Sequence, residues 1–284
     1  MPTTVAIPSE LTGQTILSFP TGLPEGCLVD ASNLSFIEPM GLVQLVLLLQ
    51  HAAALSPKVK FIAPSAYGAY HYLARMGFYK HVPETVTLDN AVDAGAVHRR
   101  GSCDVLIPVR GFKSDWDVED MFEDVAKFLR RMLTDKIISG TIYSTLGAAI
   151  PELAGNAATH ANSPCGGYIA AQIYKRGSYL AVGDIGMGIR GHLTKNPNWA
   201  YLQTDEEAIA KALETGVSGT SDRRGWGFDY VLEELRSTAG AQLFIRSGNG
   251  WVKTNVGQNG RRQTSGSDST RSFPGTIIQL IVQT

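Results

Sequence analysis

Hydrophobic residues recur every three or four positions between residues 115 and 133, with polar or charged residues between them. This period predicts an amphipathic helix with one buried face. Acidic residues gather in its first half and basic residues in its last turns, which complements the helix macrodipole. Such a face packs either on the core of its own domain or on a second copy of the helix, and we favour the first interpretation. The face consists of Val118, Met121, Val125, Phe128 and Met132.

Upstream of this helix, residues 1–92 alternate short apolar runs with helical patterns. The runs QTILSFP, CLVDASNLSF and KVKFIAP predict strands, and residues 41–54 and 67–76 predict helices. This alternation indicates a small α/β domain. Residues 91–102 combine small, basic and glycine residues without an apolar period, so we predict a linker there.

Downstream, residues 103–284 predict a second α/β domain. The run CDVLIPV opens it as a strand, and a helical pattern covers residues 137–161, with Pro151 inside it as a kink or a fresh start. GYIAAQIYK and SYLAVGDI form a predicted hairpin, followed by helices at 205–214 and 228–237. QLFIRS, GWVKTNV and GTIIQLIV are the closing strands. The polar segment GQNGRRQTSGSDSTRS before the last strand is predicted to be a mobile surface loop.

The composition of the chain is that of a globular protein without a dominant charge. Its 284 residues, 44% of them hydrophobic, exceed the roughly 100 to 200 residues typical of one domain, which favours two domains. The formal net charge of -1 provides no overall field that would recruit nucleic acid or an anionic membrane. We therefore expect neither as a partner.

Cysteine spacing and the apolar segments indicate the compartment. The 3 cysteines lie far apart without a C-x-x-C spacing, which argues against disulfides and against a zinc site. The first residues, MPTTVAIPSE, lack the basic and apolar regions of a secretory signal. The most apolar stretch, residues 40–55, falls short of the roughly 20 residues that span a bilayer. We therefore expect a cytoplasmic protein without a membrane segment.

Polar residues repeat at four-residue intervals in the segment PELAGNAATHA. Because successive steps of four rotate only about 40° around a helix, Glu152, Asn156 and His160 share one face. A carboxylate and an amide oxygen one turn apart can serve a metal and a water together, because Mg²⁺ takes few protein oxygens and keeps several waters. The same spacing also occurs on a merely solvated helix face, and His160 is equally compatible with a structural role.

A second motif, GDIGMGI, follows the apolar run SYLAV. Glycine permits positive φ and a close approach of the backbone to a ligand. Asp184 at the strand end is therefore suited to accept a hydrogen bond from an exocyclic amine, while Gly186 and Gly188 let a flat ring approach. An ordinary Asp-Gly turn is the alternative interpretation.

A third motif, RRGWGF, places Gly225 and Gly227 immediately before a predicted helix. Helix N-termini present free N–H groups to anions. Arg223 and Arg224 are donors suited to phosphate oxygens. A flexible glycine connection is the alternative, and the chain has no phosphate-binding loop of the G-x-x-x-x-G-K-[ST] type.

In this order and spacing, the three motifs resemble those of the GHKL ATPase superfamily, which includes gyrase, histidine kinases and the anti-sigma serine kinases. ELAGNAATHA resembles its N-box, DIGMGI and RRGWGF its two glycine boxes, and GTIIQLIV its closing strand. The resemblance spans residues 152–282 and is nearest to the anti-sigma serine-kinase branch. It implies a two-layer α/β sandwich with a mixed sheet.

The resemblance also implies ATP and Mg²⁺ as cofactors and a role for each motif residue. Glu152 would orient or deprotonate the nucleophile, and Asn156 would ligate the metal. Asp184 would bind the adenine amine beside Thr276. Residues 190–224 would form the ATP lid, which commonly orders only with nucleotide. The other residues implied to contact the nucleotide are Gly186 and Gly188 at the base, and Arg223, Arg224, Gly225 and Gly227 at the phosphates.

The first domain resembles STAS domains, the fold of anti-sigma-factor antagonists. LVDASNLSFIEPMGLVQLVLLLQHA resembles their strand, loop and helix, and KVKFIAPSAYGAYHYLARMGF the next strand and helix. At the usual phosphoacceptor position this chain has Pro39 and Met40, which offer no hydroxyl, and Ser32 and Ser35 lie off that position. We therefore predict an unphosphorylated recognition domain whose loop at residues 38–40 is exposed for contacts.

These inferences leave more than one function open. The leading hypothesis is an ATP-dependent regulatory switch with slow ATPase activity, in which nucleotide changes how the two domains meet each other or a partner. One alternative is a serine/threonine kinase acting on a STAS-type protein, because phosphoryl transfer to water and to a hydroxyl need similar machinery. Another is an interaction module that binds ATP without turnover. We expect a protein partner from signalling, and a homodimer is a further expectation.

Overall fold

The structure is a computed structural model that describes residues 3–13, 15–18, 23–56, 58–89, 105–174, 177–217, 227–238, 240–257, 260–268 and 271–283. Within these ranges the chain is an α/β protein, as predicted, with parallel and antiparallel sheets. The predicted linker at 91–102 lies outside the described residues, and the proposed division into domains at 1–92 and 103–284 stays a prediction.

The N-terminal part of the chain forms a parallel sheet, a short ribbon and helices. Its elements are β1 (Thr4–Ala6), β2 (Glu10–Leu11), β3 (Leu28–Asp30), β4 (Phe36–Ile37), α1 (Pro39–Leu55), β5 (Lys60–Ile62), α2 (Tyr67–Arg75) and β6 (Thr87–Asp89). The sheet has the order β1-β3-β5-β6, and β2 pairs with β4 in the ribbon. Parallel neighbours need crossover connections, which α1 and α2 supply on either side of β5.

The C-terminal part forms a second sheet with the order β12-β11-β10-β13-β9-β8-β7. Its strands are β7 (Val105–Phe112), β8 (Gly167–Tyr174), β9 (Gly177–Asp184), β10 (Ala241–Gly248), β11 (Gly250–Gly257), β12 (Gly260–Ser267) and β13 (Phe273–Val282). Its helices are α3 (Asp115–Thr134), α4 (Gly140–Thr159), α5 (Gly188–Leu193), α6 (Asp205–Ala212) and α7 (Gly227–Arg236).

Strand directions within this second sheet differ from the mixed sheet that we predicted for it. Each described pair is antiparallel, and short connections join β8 to β9, β10 to β11 and β11 to β12 as hairpins. The parallel pairs of the protein belong to the first sheet. In the described residues, therefore, the first sheet is parallel and the second is antiparallel, and neither sheet mixes the two directions.

Helices α3, α4 and α7 cover one face of the second sheet and share an apolar cluster with it. The predicted face of α3 is buried at Val118, Met121, Val125 and Met132, and a capping box at Ser114 begins the helix. Residues 140–159 form α4 as a single helix that continues through Pro151. The buried residues on either side of that proline offset the hydrogen bond that it cannot donate.

Helix α1 covers the opposite face of the second sheet, so it lies between the two sheets. Its first eleven residues, 39–49, are all buried, and it contacts β8, β9 and β13. The expectation of an exposed loop at residues 38–40 is therefore wrong. Pro39 and Met40 form the first turn of the helix and are buried, and only Glu38 before them retains partial exposure.

Two further local predictions differ from the structure. The polar segment after β11, predicted to be a mobile loop, contains β12, an edge strand that pairs with β11 along its length. The run QTILSFP contains a 3₁₀ turn at Ile16–Ser18 instead of a strand. The Thr15 hydroxyl accepts from the Thr12 backbone and donates to the Glu10 carbonyl, and such local bonds compete with a strand ladder. No helix in the described part of the chain combines the length and the apolar character needed to cross a membrane.

Candidate functional site

A cavity of about 630 Å³ opens between α4, the ends of β9 and β13, and α5 and α7. It brings together side chains from every one of the sequence motifs, although they are far apart in the chain. The predicted site residues that line it are Glu152, Asn156, His160, Asp184, Gly188, Gly227 and Thr276.

One wall of the cavity is the face of α4 that carries Glu152, Asn156 and His160. The four-residue spacing aligns these side chains, as predicted. Asn156 Nδ2 donates a hydrogen bond to Glu152 Oε1 at 3.1 Å. His160 is the C-terminal cap of the helix, and its backbone N–H bonds the Asn156 carbonyl. The Asn156 amide is thereby oriented with its nitrogen towards Glu152.

Asp184 lies at the end of β9 on the floor of the cavity and is only 4% exposed. Its Oδ1 accepts a hydrogen bond from the backbone N–H of Gly186 at 2.7 Å. Burial raises the pKa of the Asp184 carboxyl from 3.8 to about 7, while backbone hydrogen bonds from Gly186 and Thr276 act in the opposite direction. A buried, oriented carboxyl of this kind is suited to accept a hydrogen bond from a ligand N–H group.

The glycines of the DIGMGI segment are required by close packing. A β-carbon at Gly186 would collide with the carbonyl oxygen of Ala161 at the end of α4, and the same oxygen accepts from Met187 N at 2.8 Å. Gly188 has a φ of +71°, and a β-carbon there would stand 2.8 Å from Ser247 Oγ. Gly188 lines the cavity, whereas Gly186 is not among the described lining residues and acts by positioning Asp184.

Ser247 joins the glycine segment to β13 from behind the cavity. Its Oγ accepts from the backbone N–H of Ile189 at 2.9 Å and donates to the Gly275 carbonyl at 3.1 Å. It also lies 3.0 Å from Thr276 Oγ1. Thr276 stands directly opposite Asp184 in the antiparallel register. The predicted proximity of Thr276 and Asp184 is therefore present, and Ser247 is a structural contributor that the motifs did not indicate.

His160 stacks on His192 of α5, with ring centroids 4.4 Å apart and an interplanar angle of 26°. Both side chains line the cavity. Burial lowers the pKa of His160. Burial, followed by the charges of His160 and Lys195, lowers the pKa of His192 to about 4. The stack of the two imidazole rings joins α4 to the first helix after β9.

The phosphate-binding motif is described only in part. Gly227 begins α7 with a φ of +61° and lines the cavity. Arg223, Arg224 and Gly225 lie outside the described residues. Among the described lining residues none is lysine or arginine, and the lining carboxylates are Glu152, Asp184, Glu214 and Asp229. The described walls are therefore acidic, and an anionic ligand would need a cation or basic side chains from elsewhere.

The donor set at α4 is suited to Mg²⁺ only together with a ligand. No group of three or more histidine, cysteine or carboxylate side chains within the described ranges forms a metal cage. Magnesium is usually held by one or two protein oxygens and by substrate phosphates. The amide oxygen of Asn156 fits that pattern, because the amide nitrogen is engaged by Glu152, and the Glu152 carboxylate can hold a water beside it.

The segment predicted as a lid is described at residues 190–217. Arg190 Nε donates to Asp205 Oδ1 at 2.9 Å, and Asp205 Oδ2 accepts from Asn249 N at 2.9 Å. This carboxylate fastens the beginning of α6 to the turn between β10 and β11. Lys211 forms an ion pair with Glu214 at 2.7 Å and does not line the cavity.

Several lining residues were absent from the sequence prediction. Alternation along β9 and β13 places Val182 and Ile278 in the cavity beside Asp184 and Thr276, and this could have been inferred from the strand period. His192 carried no recognisable signal, because its position depends on how α5 folds back on α4. The remaining lining residues from the segment after α6 and from the first turn of α7 are Glu214, Thr215, Gly216, Val217, Phe228 and Asp229.

Comparison with solved structures gives a likeness in fold, whereas comparison by sequence gives no match. No protein-family model matches the sequence, and no curated protein matches it. The chain is similar to a topoisomerase IV ATP binding domain of Francisella tularensis, solved in complex with a small molecule inhibitor, with a TM-score of 0.23 and 12% sequence identity. The similarity covers 37% of this chain and 27% of that chain. A likeness of this extent assigns neither a family nor a function.

Proposed function

We propose that this protein binds ATP with Mg²⁺ in the cavity and acts as a regulatory switch with slow ATPase activity. The observation that supports the proposal is the convergence of Glu152, Asn156, Asp184 and Thr276 on one cavity. The order of these residues along the chain resembles that of the GHKL ATPases. The volume of about 630 Å³ is within the range of about 300 to 1,000 Å³ that is typical of small-molecule sites.

The floor of the cavity is suited to the adenine. The Asp184 carboxyl is held by Gly186 before any ligand enters, so its acceptor oxygen is already oriented. A carboxylate there accepts a hydrogen bond from the exocyclic amine. Val182 and Ile278 add apolar surface for the faces of the ring.

The walls at α4 and α7 are suited to the triphosphate. Mg²⁺ bound there would neutralise the charge of the phosphates. A cation is needed because the described walls carry carboxylates and neither lysine nor arginine. Asn156 would offer its amide oxygen to the metal. Glu152 would hold the attacking water or hydroxyl and accept its proton. The N-terminus of α7 at Gly227 would present backbone N–H groups to phosphate oxygens.

Isothermal titration calorimetry tests the binding. We expect the wild-type chain to bind Mg-ATP and Asp184→Ala to lose most of that affinity. Asp124→Ala is a matched control, because this carboxylate on α3 is 57% exposed and pairs with Arg110 at the surface. Failure of the wild-type chain to bind Mg-ATP would refute the proposal.

Incubation with γ-labelled ATP separates the modes of action. The switch with slow turnover predicts free phosphate from the wild-type chain and its loss in Glu152→Gln. A serine/threonine kinase would instead label a STAS-type protein added to the reaction. An equal result for wild type and Glu152→Gln, with binding retained, would indicate a module without turnover. Light scattering with and without Mg-ATP tests the predicted homodimer.

A further inference from the structure

Strand β9 separates the cavity from helix α1. Successive side chains of a strand point to opposite faces. Val182 and Asp184 line the cavity, whereas Ala181 packs in the apolar cluster that contains α1. Gly183 borders the cavity with its backbone, but a β-carbon there would point towards α1 and stand 2.9 Å from Leu47 Cδ1. Leu47 therefore packs against the backbone segment that carries Asp184.

The neighbouring strand β13 is divided in the same way. Thr276 and Ile278 line the cavity, while Ile277 between them belongs to the cluster around α1. Ile277 stands opposite Gly183 in the register, and a β-carbon at Gly183 would lie 3.2 Å from Ile277 Cγ1. The strands that supply Asp184 and Thr276 thus both pack, on the face opposite the cavity, against the apolar cluster that contains α1.

Hydrogen bonds hold α1 in this position at both ends. Glu38 at its N-terminus accepts from Gly13 N at 3.0 Å and from Gln279 Nε2 of β13 at 3.4 Å. Gln50 near its C-terminus donates to the His81 carbonyl at 2.8 Å. Because residues 39–49 are buried throughout, any displacement of α1 from the second sheet would expose a large apolar surface.

We propose that Leu47 is a positioning residue for the nucleotide site, and that α1 acts through Gly183 to place Asp184 and Thr276. The affinity for nucleotide then depends on the N-terminal part of the chain, although none of the described lining residues comes from that part. The inference rests on the proposed function, because it takes Mg-ATP as the ligand. It also changes what we expect of the switch. Nucleotide binding would alter the packing between α1 and β9, and α1 would not move away from the second sheet.

A double-mutant cycle tests the contact. Gly183→Ala adds a methyl group 2.9 Å from Leu47 Cδ1, and Leu47→Ala removes the side chain that it would press against. We expect each single variant to weaken Mg-ATP binding by about tenfold, and the double variant to recover to within about threefold of wild type, as residues in contact couple. Additive losses in the double variant would overturn the proposal.

Leu45→Ala is the matched control for packing. Leu45 is fully buried like Leu47, but it lies about 200° around the helix and so faces away from β9. We expect Leu45→Ala to lower the melting temperature about as much as Leu47→Ala and to leave the affinity of the folded protein unchanged. Equal losses of affinity in the two variants would show an effect of stability alone and would overturn the proposal.

Hydrogen exchange of the wild-type chain provides a test that needs no variant. Binding linkage is reciprocal, so Mg-ATP should slow amide exchange in α1 as well as in β9. Unchanged exchange in α1, with protection in β9, would refute the inference and leave the proposed function intact. If the wild-type chain shows no binding of Mg-ATP, the proposed function fails and this inference fails with it.

Discussion

Asn156 donates a hydrogen bond from Nδ2 to Oε1 of Glu152 across one turn of α4, at 3.1 Å. The bond orients both groups before a ligand arrives. It directs the amide oxygen of Asn156 away from Glu152, and it leaves the second carboxylate oxygen of Glu152 available to a water or hydroxyl. A metal site and a general base are thereby arranged side by side on one helix face.

Asn156→Ala should lose the magnesium-dependent part of ATP binding. Removal of the amide oxygen takes away the proposed metal ligand, and we expect affinity for Mg-ATP to fall by about a hundredfold. Calorimetry with Mg²⁺ and with a chelator measures the difference. Thr159→Ala, an exposed position at the end of the same helix, is the control and should bind normally. Undiminished Mg-ATP affinity in Asn156→Ala would remove this residue from the site.

Asp184 should make the unfolding free energy fall as pH rises from about 4 to about 7. The folded carboxyl has its pKa raised to about 7 by burial, so the folded state keeps a proton that the unfolded state has lost. Stability from this group is therefore complete below pH 4 and is lost by pH 7, on the order of 4 kcal/mol. Urea unfolding of wild type and Asp184→Asn at pH 4.5 and 7.5 measures it. The amide does not titrate, so an identical pH dependence in both proteins contradicts the prediction.

His192 should make the unfolding free energy fall as pH decreases, the opposite of the effect of Asp184. Burial and the charges of His160 and Lys195 lower its pKa in the folded state to about 4. As pH falls, His192 is therefore protonated in the unfolded state before it is protonated in the folded state. The stability that His192 contributes is present above its ordinary pKa of 6.5 and is lost as pH falls towards 4, by about 2 kcal/mol after allowance for its partial exposure. Thermal unfolding at pH 7.5 and 5 measures the first part of this loss.

The variant His192→Phe retains a ring against His160 and removes the titration. We expect its loss of stability between pH 7.5 and 5 to be smaller than that of wild type. His160→Phe provides the reciprocal test, because burial also lowers the pKa of His160. If neither variant changes the pH dependence, the stack has no electrostatic role.

Gly188→Ala should destabilise the protein by about 1 to 3 kcal/mol. The residue has a φ of +71°, and the added methyl group would press on Ser247 Oγ, which bonds Ile189 N and the Gly275 carbonyl. Urea unfolding measures the change. Gly147→Ala is the matched control, because it lies inside α4 with nothing within 4 Å of a β-carbon. Helix propensity predicts that this control gains up to about 1 kcal/mol.

The motifs of the cavity could be found in the sequence because local geometry decides them. The four-residue spacing of Glu152 and Asn156 places both on one face of any α-helix. Gly186 and Gly188 mark backbone that approaches a neighbour too closely for a side chain. The amphipathic period of α3 likewise predicted most of the face that it buries.

Local periods in the sequence did not predict the structure of the sheet edge or the burial of residues at the contact between α1 and the second sheet. Strand β12 is polar and exposed, so it has no apolar alternation, and only its pairing with β11 makes it a strand. The apolar residues of α1 predicted burial, but one sheet alone would have left residues 38–40 in solvent. Because the second sheet also packs on α1, that turn is covered.

The sequence by itself determined the α/β class, most of the helices and strands, and the residues Glu152, Asn156, Asp184 and Gly188 as site candidates. Only the tertiary structure placed His192 on His160, Ser247 behind Thr276, and Leu47 against Gly183. These contacts join residues distant in the chain, and no local period records them. They form because both faces of the second sheet are apolar and each must be buried, one by α3, α4 and α7 and the other by α1.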